Sequence, residues 1–224
     1  MIKHPEQRVA VFIDTQNMYY SARNLFNARV NFKSIVEDAV AGRKLIRAIA
    51  YVVRTKTGEE RPFFEALKGA GIETKEKELQ IYAGGVKKAD WDVGIAVDAV
   101  KLSDKVDAIV LVSGDGDFAP LMDYLSGVKG CLVEAMSFRE TTSSKLIEVV
   151  DEFTDLSQQK DRYLMKIGEI RSGVTSDTRA DARNNGRGSS SGKRRGTKNT
   201  TRKVEDEETE STIYPIITPW NDIN

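Results

Sequence analysis

The chain has 224 residues, in which 34 Lys and Arg residues balance 34 Asp and Glu residues, so its net charge gives no indication of a polyanionic partner. It contains one histidine, His4, and one cysteine, Cys131, which excludes zinc sites built from His and Cys, Cys–His nucleophiles and disulfide frameworks. A Ser-His-Asp triad would depend on His4, which precedes the first predicted strand. Cys131 lies in an apolar run and is expected to be buried. With no apolar run of about eighteen residues and no apolar signal segment, the chain is expected to be soluble and cytoplasmic, without a membrane partner.

Strand and helix patterns alternate between Arg8 and about Ile170. In the first half of the domain, the patterns predict a strand at Val9–Ile13, helices at Thr15–Phe26 and Asn31–Ala41, a strand at Leu45–Val53, a short helix around Phe63–Leu67 and an exposed edge strand at Ile72–Tyr82. In the second half, they predict a helix at Trp91–Leu102, a strand at Asp107–Val112, a helix at Phe118–Leu125 and a strand at Gly130–Met136. A last helical region is predicted from Thr142 to Val150 and could resume as far as Leu164. This alternation predicts an α/β fold with a mostly parallel sheet and helices on both faces.

The composition changes after residue 170, which predicts a domain at 1–170 and a tail at 171–224. Residues 179–203 hold nine Lys or Arg residues and one Asp, diluted by Gly, Ser, Asn and Thr, so we expect disorder there. An acidic block, Glu205–Glu210, follows, and the chain ends in a short apolar island around Ile213–Trp220. The basic stretch could be a solvated tail or could attract nucleic acid, and the island could dock on a protein partner or pack back on the domain.

Four aspartates follow buried-strand patterns or begin helices: Asp14, Asp92, Asp115 and Asp117. A carboxylate directly after a parallel strand lies at the carboxyl edge of the sheet, where open α/β sheets bind their ligands. Several carboxylates at one edge repel one another, so some must be protonated or a cation must neutralise them. Ligation by oxygen alone is typical of Mg²⁺ or Mn²⁺. The sequence therefore predicts a metal-dependent acidic site.

Such a site is suited to phosphodiester hydrolysis, in which one or two metal ions activate water and stabilise charge without a histidine base. Asn17 could orient substrate or a metal-bound water, and Ser113 could donate to phosphate or to a carboxylate. Lys87 and Lys88 could contact substrate phosphate, although two solvated loop lysines would look the same. Asp98 lies six residues after Asp92, about 9 Å along the helix and on a different face, and is expected to support the ligands. Helix capping for Asp117 and a turn for Asp115 remain the simpler structural alternatives.

Three motifs around these residues, FIDTQN, DWDVGIAVDA and LVSGDGDF, resemble those of the NYN domain family, specifically its LabA-like bacterial and archaeal group. The resemblance covers about Arg8 to Leu156 and implies membership of the PIN-like superfamily of metal-dependent nucleases. It implies a Rossmannoid three-layer α/β/α domain whose acidic pocket binds Mg²⁺ or Mn²⁺ and cleaves RNA.

Matched residue by residue, the resemblance assigns catalytic and metal-binding roles to the same four aspartates. It aligns Asn17 and Ser113 with the polar partners of the first and third motifs, and Asp98 with the second acid of the helix motif. Trp91 is a departure, because many relatives carry a smaller residue before this acid.

Two other functions are compatible with the pattern, and the sequence leaves open whether the chain forms a homo-oligomer. A phosphatase of the haloacid dehalogenase type also uses a strand-end aspartate, but it needs a second acid two residues later, where this chain has Gln16. A non-catalytic RNA-binding or regulatory module could keep the acidic residues without turnover.

Overall fold

A computed structural model of the chain describes residues 3–54, 60–81, 87–88 and 90–166. The strands are β1 (Arg8–Asp14), β2 (Ala28–Val30), β3 (Lys44–Arg54), β4 (Glu73–Glu78), β5 (Gln80–Ile81), β6 (Lys87–Lys88), β7 (Ala108–Val112), β8 (Leu132–Ser137), β9 (Glu152–Asp155) and β10 (Leu164–Lys166). The α-helices are α1 (Thr15–Phe26), α2 (Phe32–Val40), α3 (Arg61–Gly69), α4 (Asp92–Ser103), α5 (Ala119–Gly127), α6 (Ser144–Val149) and α7 (Lys160–Tyr163). The predicted tail at 171–224 lies outside the described residues, so its expected properties stay predictions.

Six strands form one sheet in the order β4-β3-β1-β7-β8-β9, and every neighbouring pair in it is parallel. The two continuous apolar runs of the sequence become β1 and β7 at the centre, where side chains on both faces are buried. The charged segment ETKEKE forms the edge strand β4, as its partly exposed pattern predicts. The prediction of a mostly parallel α/β sheet is confirmed.

The residues of β1 alternate between two cores, one on each face of the sheet. Val9, Val11 and Ile13 face a core that includes side chains from α1, α2 and α3, whereas Ala10 and Phe12 face a core with side chains from α4, α5 and α6. The result is a three-layer α/β/α arrangement, and α1 starts directly at the carboxyl end of β1. Cys131 is buried in the second core, as predicted. No α-helix of the described residues is long and apolar enough to cross a membrane.

The sequence-based prediction missed one strand after α6. The helix ends at Val149 and β9, the sixth strand of the sheet, follows it, whereas helical structure does resume in the 3-10 turn Leu156–Gln159 and in α7. Pairing with β8 decides the outcome, because Asp151 donates its N–H to the Val133 carbonyl and accepts the Val133 N–H on its carboxylate. The short antiparallel pair of β2 and β10 was also missed, because three-residue strands carry too few residues to show a period.

A buried ion pair connects the end of α2 to β8. The guanidinium of Arg43 has no exposed side-chain surface and contacts both carboxylate oxygens of Glu134, at 2.5 and 3.0 Å. It also donates to the carbonyls of Ala39 and Val40, and Lys3 lies 3.3 Å from the same carboxylate. The Arg43 guanidinium therefore donates four hydrogen bonds to groups within the fold.

Replacing Arg43 with methionine is expected to lower the free energy of unfolding by about 3 kcal/mol, because the Glu134 carboxylate stays buried with only Lys3 beside it. Urea denaturation measures the loss. The matched control is Arg8→Met, which breaks an exposed pair with Asp107 and should cost much less. Equal losses in the two variants would contradict a special contribution from the buried pair.

Candidate active site at the carboxyl edge

Asp14 is the last residue of β1 and the N-cap of α1. Its carboxylate accepts the backbone N–H of Asn17 at 3.1 Å, which satisfies one of the free donors in the first turn of the helix. The hydroxyl of Ser113 lies 3.4 Å from the other carboxylate oxygen. Asp14 is only 8% exposed, so a charged group at this position has lost most of its hydration.

The loop after β7 is held beside Asp14 by two hydrogen bonds. The side-chain carbonyl of Asn17 accepts the N–H of Gly114 at 2.9 Å, and the buried Ser113 hydroxyl accepts the N–H of Asp115 at 3.2 Å. This contact follows from the strand register. Ile13 pairs with Val112, so the residues that follow them, Asp14 and Ser113, lie at the same edge of the sheet. Asn17 and Ser113 therefore connect the first and third sequence motifs.

Asp115 and Asp117 begin the 3-10 turn Gly116–Phe118. The carboxylate of Asp115 accepts the N–H of Asp117 at 2.9 Å, so Asp115 caps this turn while Asp117 is exposed in its first residues. The N-terminus of α5 has no side-chain cap, so the capping alternative for Asp117 is not observed, whereas the turn expected at Asp115 is present.

Glycine is required at two positions of this loop because another segment crosses it closely. A Cβ atom on Gly114 would lie 2.8 Å from the carbonyl oxygen of Thr141, and one on Gly116 would lie 2.5 Å from the Ser143 hydroxyl. The N–H of Ser143 also donates to the Gly114 carbonyl at 2.9 Å. The segment Thr141–Ser143 is therefore part of the site's framework, and nothing local in the sequence indicated it.

Asp92 is the first residue of α4 and is half-buried. Trp91 anchors this helix start, since its indole N–H donates to the carbonyl of Val52 at 3.0 Å and its ring meets Tyr51 edge-on at 5.2 Å between centroids. The ammonium of Lys77 lies 5.6 Å from the centre of the indole ring, within cation–π range. The tryptophan thus positions the helix that carries Asp92.

Asp98 has its partners on the β3–β4 side of α4. It accepts the Tyr51 hydroxyl at 2.8 Å and the Lys75 ammonium at 2.5 Å. Burial acts to raise the pKa of Asp98, but these two donors outweigh it and the pKa is lowered. Tyr51 also contacts Trp91, so Asp98 is connected through two aromatic rings to the start of α4. Lys87 and Lys88 form β6, and their side chains lie outside the described residues.

The four acids, together called the acidic edge (Asp14, Asp92, Asp115 and Asp117), influence one another electrostatically. Burial raises the pKa of Asp14 to about 6, and the charges of Asp92 and Asp115 act in the same direction, against the hydrogen bond from Asn17. Burial also raises the pKa of Asp92, reinforced by Asp115, Asp90 and Asp117. Asp90 is an additional acid of this region that the sequence-based analysis did not select.

The acidic edge is not a preformed coordination sphere. Within residues 3–54, 60–81, 87–88 and 90–166, no group of three or more His, Cys, Asp or Glu side chains is arranged to hold one metal ion. The donor chemistry does fit a hard cation, since all four groups are carboxylates and two of them carry raised pKa values that a nearby positive charge would lower. A cation would therefore have to draw these side chains together.

The fold is thus a mostly parallel α/β sheet whose carboxyl edge carries aspartates that raise one another's pKa values. The NYN domain family matches residues 8–157, well over half of the chain, and the chain belongs to this family of PIN-like nucleases. The resemblance read from the three motifs is thereby confirmed.

Two known proteins are similar to the chain. Over 165 residues it is 27% identical to the low amplitude and bright protein LabA of Synechococcus elongatus, an alignment that covers 67% of this chain and 84% of LabA. Its fold is similar to the crystal structure of a protein of unknown function from Vibrio parahaemolyticus, with a TM-score of 0.66 and 30% sequence identity. That match covers 74% of this chain and 100% of the other.

The raised pKa of Asp14 predicts a pH-dependent stability in metal-free protein. A carboxyl group whose pKa rises from 3.8 to about 6 on folding stabilises the fold below about pH 4, and this contribution is lost as the pH rises through about 6. Asp14→Asn keeps a good N-cap but cannot ionise. The variant should therefore be more stable than the wild type at pH 8, by up to about 3 kcal/mol, and the difference should vanish near pH 4.

Denaturation curves in EDTA across this pH range measure the effect. The control is Asp123→Asn, which removes an exposed carboxylate from α5 and should follow the wild-type curve. If Asp14→Asn also followed the wild-type curve at every pH, the burial and charge repulsion assigned to Asp14 would be wrong.

Proposed function

We propose that this protein is a metal-dependent ribonuclease that hydrolyses RNA phosphodiester bonds at the acidic edge, with Mg²⁺ or Mn²⁺ as cofactor. The observation that carries the proposal is the buried carboxylate of Asp14, whose pKa is raised to about 6 by burial and by the charges of Asp92 and Asp115. Such an arrangement is costly for a fold alone and is typical of sites that act on a ligand. Membership of a PIN-like nuclease family supports the same function.

Asp14, Asp92, Asp115 and Asp117 are the residues that would hold the cation. When bound, the ion would supply a water of lowered pKa and stabilise charge on the phosphate. The described chain offers no histidine near this edge, because His4 lies in the exposed segment before β1, so proton transfer would fall to carboxylates and water.

The remaining site residues would position these acids or the RNA. Asn17 and Ser113 fix the loop after β7 against Asp14 through their bonds to Gly114 and Asp115, and a substrate oxygen could replace the long Ser113 contact of 3.4 Å. Asp98 would act through Tyr51, which packs on the tryptophan that precedes Asp92. Lys88 is proposed to contact substrate phosphate.

The two alternatives differ from this proposal in one observable each. A phosphatase of the haloacid dehalogenase type would need an acid at position 16, and Gln16 lies there in the first turn of α1. A non-catalytic RNA-binding module would be consistent with acids that do not form a ready coordination sphere. Only a cleavage assay separates that module from a nuclease.

The pure full-length protein should cleave single-stranded or structured RNA in Mn²⁺ and should not do so in EDTA. Asp14→Asn and Asp115→Asn should each lower the cleavage rate by roughly 100-fold, because each removes a charged ligand from the acidic edge. Asp123→Asn, on the exposed surface of α5, is the matched control and should cleave like the wild type. Gel analysis of end-labelled RNA gives the rate.

RNA binding without any Mn²⁺-dependent cleavage would support the non-catalytic module. Cleavage that survived unchanged in both Asp variants would locate the activity elsewhere in the chain or in a contaminant.

The tail is proposed to raise RNA affinity without taking part in the chemistry. Residues 179–203 carry a net charge of +8 (nine basic residues minus one acidic), so their attraction to RNA should fall steeply with salt. Truncation after Ile170 should leave turnover at saturating RNA nearly unchanged, raise the RNA concentration required and flatten the salt dependence. Cleavage rates at two salt concentrations measure this. Loss of turnover at saturation would favour a different role, such as docking of the Ile213–Trp220 island on a protein partner.

A further inference from the structure

A second concave site lies beside the outermost strand of the sheet. It is a cavity of about 380 Å³ between β9, the 3-10 turn that follows it and α7, within the size range of small-molecule sites. Its lining combines aromatic rings with a guanidinium and two amides, contributed by Phe153, Tyr163, Arg139, Gln158 and Gln159.

Strand register places this cavity in the same row as the acidic edge. Asp14 and Ser113 follow the paired residues Ile13 and Val112, and further along the sheet Ser137 pairs with Asp155 at the ends of β8 and β9. Two strand spacings separate β7 from β9, which is about 10 Å. The segment from Arg139 to Ser143 joins the two places, because Ser143 bonds to Gly114 at one end and Arg139 lines the cavity at the other.

Arg139 is available for a ligand. Its side chain is exposed, and among the described residues its guanidinium has no hydrogen-bond or ion-pair partner, although its backbone N–H donates to Asp155 at 3.2 Å. A guanidinium can pair with a phosphate or stack on the plane of a base.

The other groups suit the edge and face of a nucleobase. Gln158 and Gln159 are exposed amides, each with donor and acceptor atoms for a base edge, and Phe153 is a half-buried ring that can contribute a stacking surface. The floor is rigid, since Tyr163 is 3% exposed and its hydroxyl donates to Asp38 at 2.8 Å. The carboxylate of Asp155 accepts the backbone N–H groups of Arg139 and Ser157 and one side-chain N–H of Gln158, which leaves Gln158 its second N–H and its carbonyl for a base.

We propose that the cavity lined by Arg139, Phe153, Gln158 and Gln159 binds one nucleotide of a single-stranded RNA, with the base between the amides and the aromatic ring and a phosphate on Arg139. RNA as the source of this nucleotide rests on the proposed nuclease function, whereas recognition of a nucleotide by the cavity does not. The site would fix the position of the strand relative to the acidic edge and give the enzyme a base preference at one flanking position.

Binding of the four nucleoside 5′-monophosphates to the full-length protein in EDTA tests the proposal without any turnover. Saturation-transfer NMR should show at least one of them bound through its base protons, and ribose 5-phosphate, which lacks the base, should bind much more weakly. Arg139→Ala should weaken the nucleotide roughly tenfold by removing one charge-assisted contact. The double variant Gln158→Ala, Gln159→Ala should change which base binds best.

Lys105→Ala is the matched control, since it removes an exposed cation just before β7, at the opposite edge of the sheet, and should leave nucleotide binding unchanged. Absence of base-dependent binding at millimolar nucleotide, or equal binding by wild type and Arg139→Ala, would overturn the proposal.

The test separates this cavity from the nuclease function. Nucleotide binding that depends on Arg139 in a protein that cleaves no RNA would keep the cavity and remove the proposed activity. RNA cleavage with the same concentration dependence in wild type and Arg139→Ala, without nucleotide binding, would do the reverse.

Discussion

The candidate site depends on the parallel pairing of β1 with β7. Ile13 lies opposite Val112, so the chain leaves the sheet at the same level on both strands and brings Asp14 beside Ser113. The hydrogen bond from Gly114 to the Asn17 side chain then holds the two departing segments together. A slip of one residue in this register would turn every side chain of a strand to its other face and separate these groups. The continuous burial of both strands on both faces makes such a slip costly.

The same arrangement destabilises the ionised form of Asp14 at the carboxyl edge of the sheet. Asp14 is buried at the end of an apolar strand, and burial together with the neighbouring acids raises its pKa to about 6. The hydrogen bond by which Asp14 caps α1 offsets part of this destabilisation. Gly114 and Gly116 allow the segment Thr141–Ser143 to pack closely against the neighbouring loop. A ligand of positive charge would relieve the repulsion among the acids, so binding and stability are expected to be coupled here.

Much of this framework could be predicted from the sequence, because its determinants are local. The helix Thr15–Phe26 was predicted at its exact bounds, since Asp14 marks its start and the apolar spacing continues to Phe26. Features that depend on distant partners could not be predicted: β9 is four residues long and is decided by pairing with β8, and Thr141–Ser143 meets the Gly114 loop only after folding. The hydrogen-bond partners of Asp98 are another example. Tyr51 and Lys75 come from β3 and β4, so the sequence around Asp98 gives no indication of them.

We expect the four aspartates of the acidic edge to act together on one divalent cation. Anomalous diffraction from crystals of the full-length protein soaked in Mn²⁺ tests it most directly, because it locates the ion without reference to activity. We expect a manganese peak in contact with the carboxylate of Asp14 and with at least one of Asp92, Asp115 and Asp117, whose side chains would have to rearrange because no three of them are now arranged to hold one ion. A manganese peak elsewhere in the chain, or an acidic edge without manganese under conditions in which RNA is cleaved, would show that these aspartates do not hold the metal.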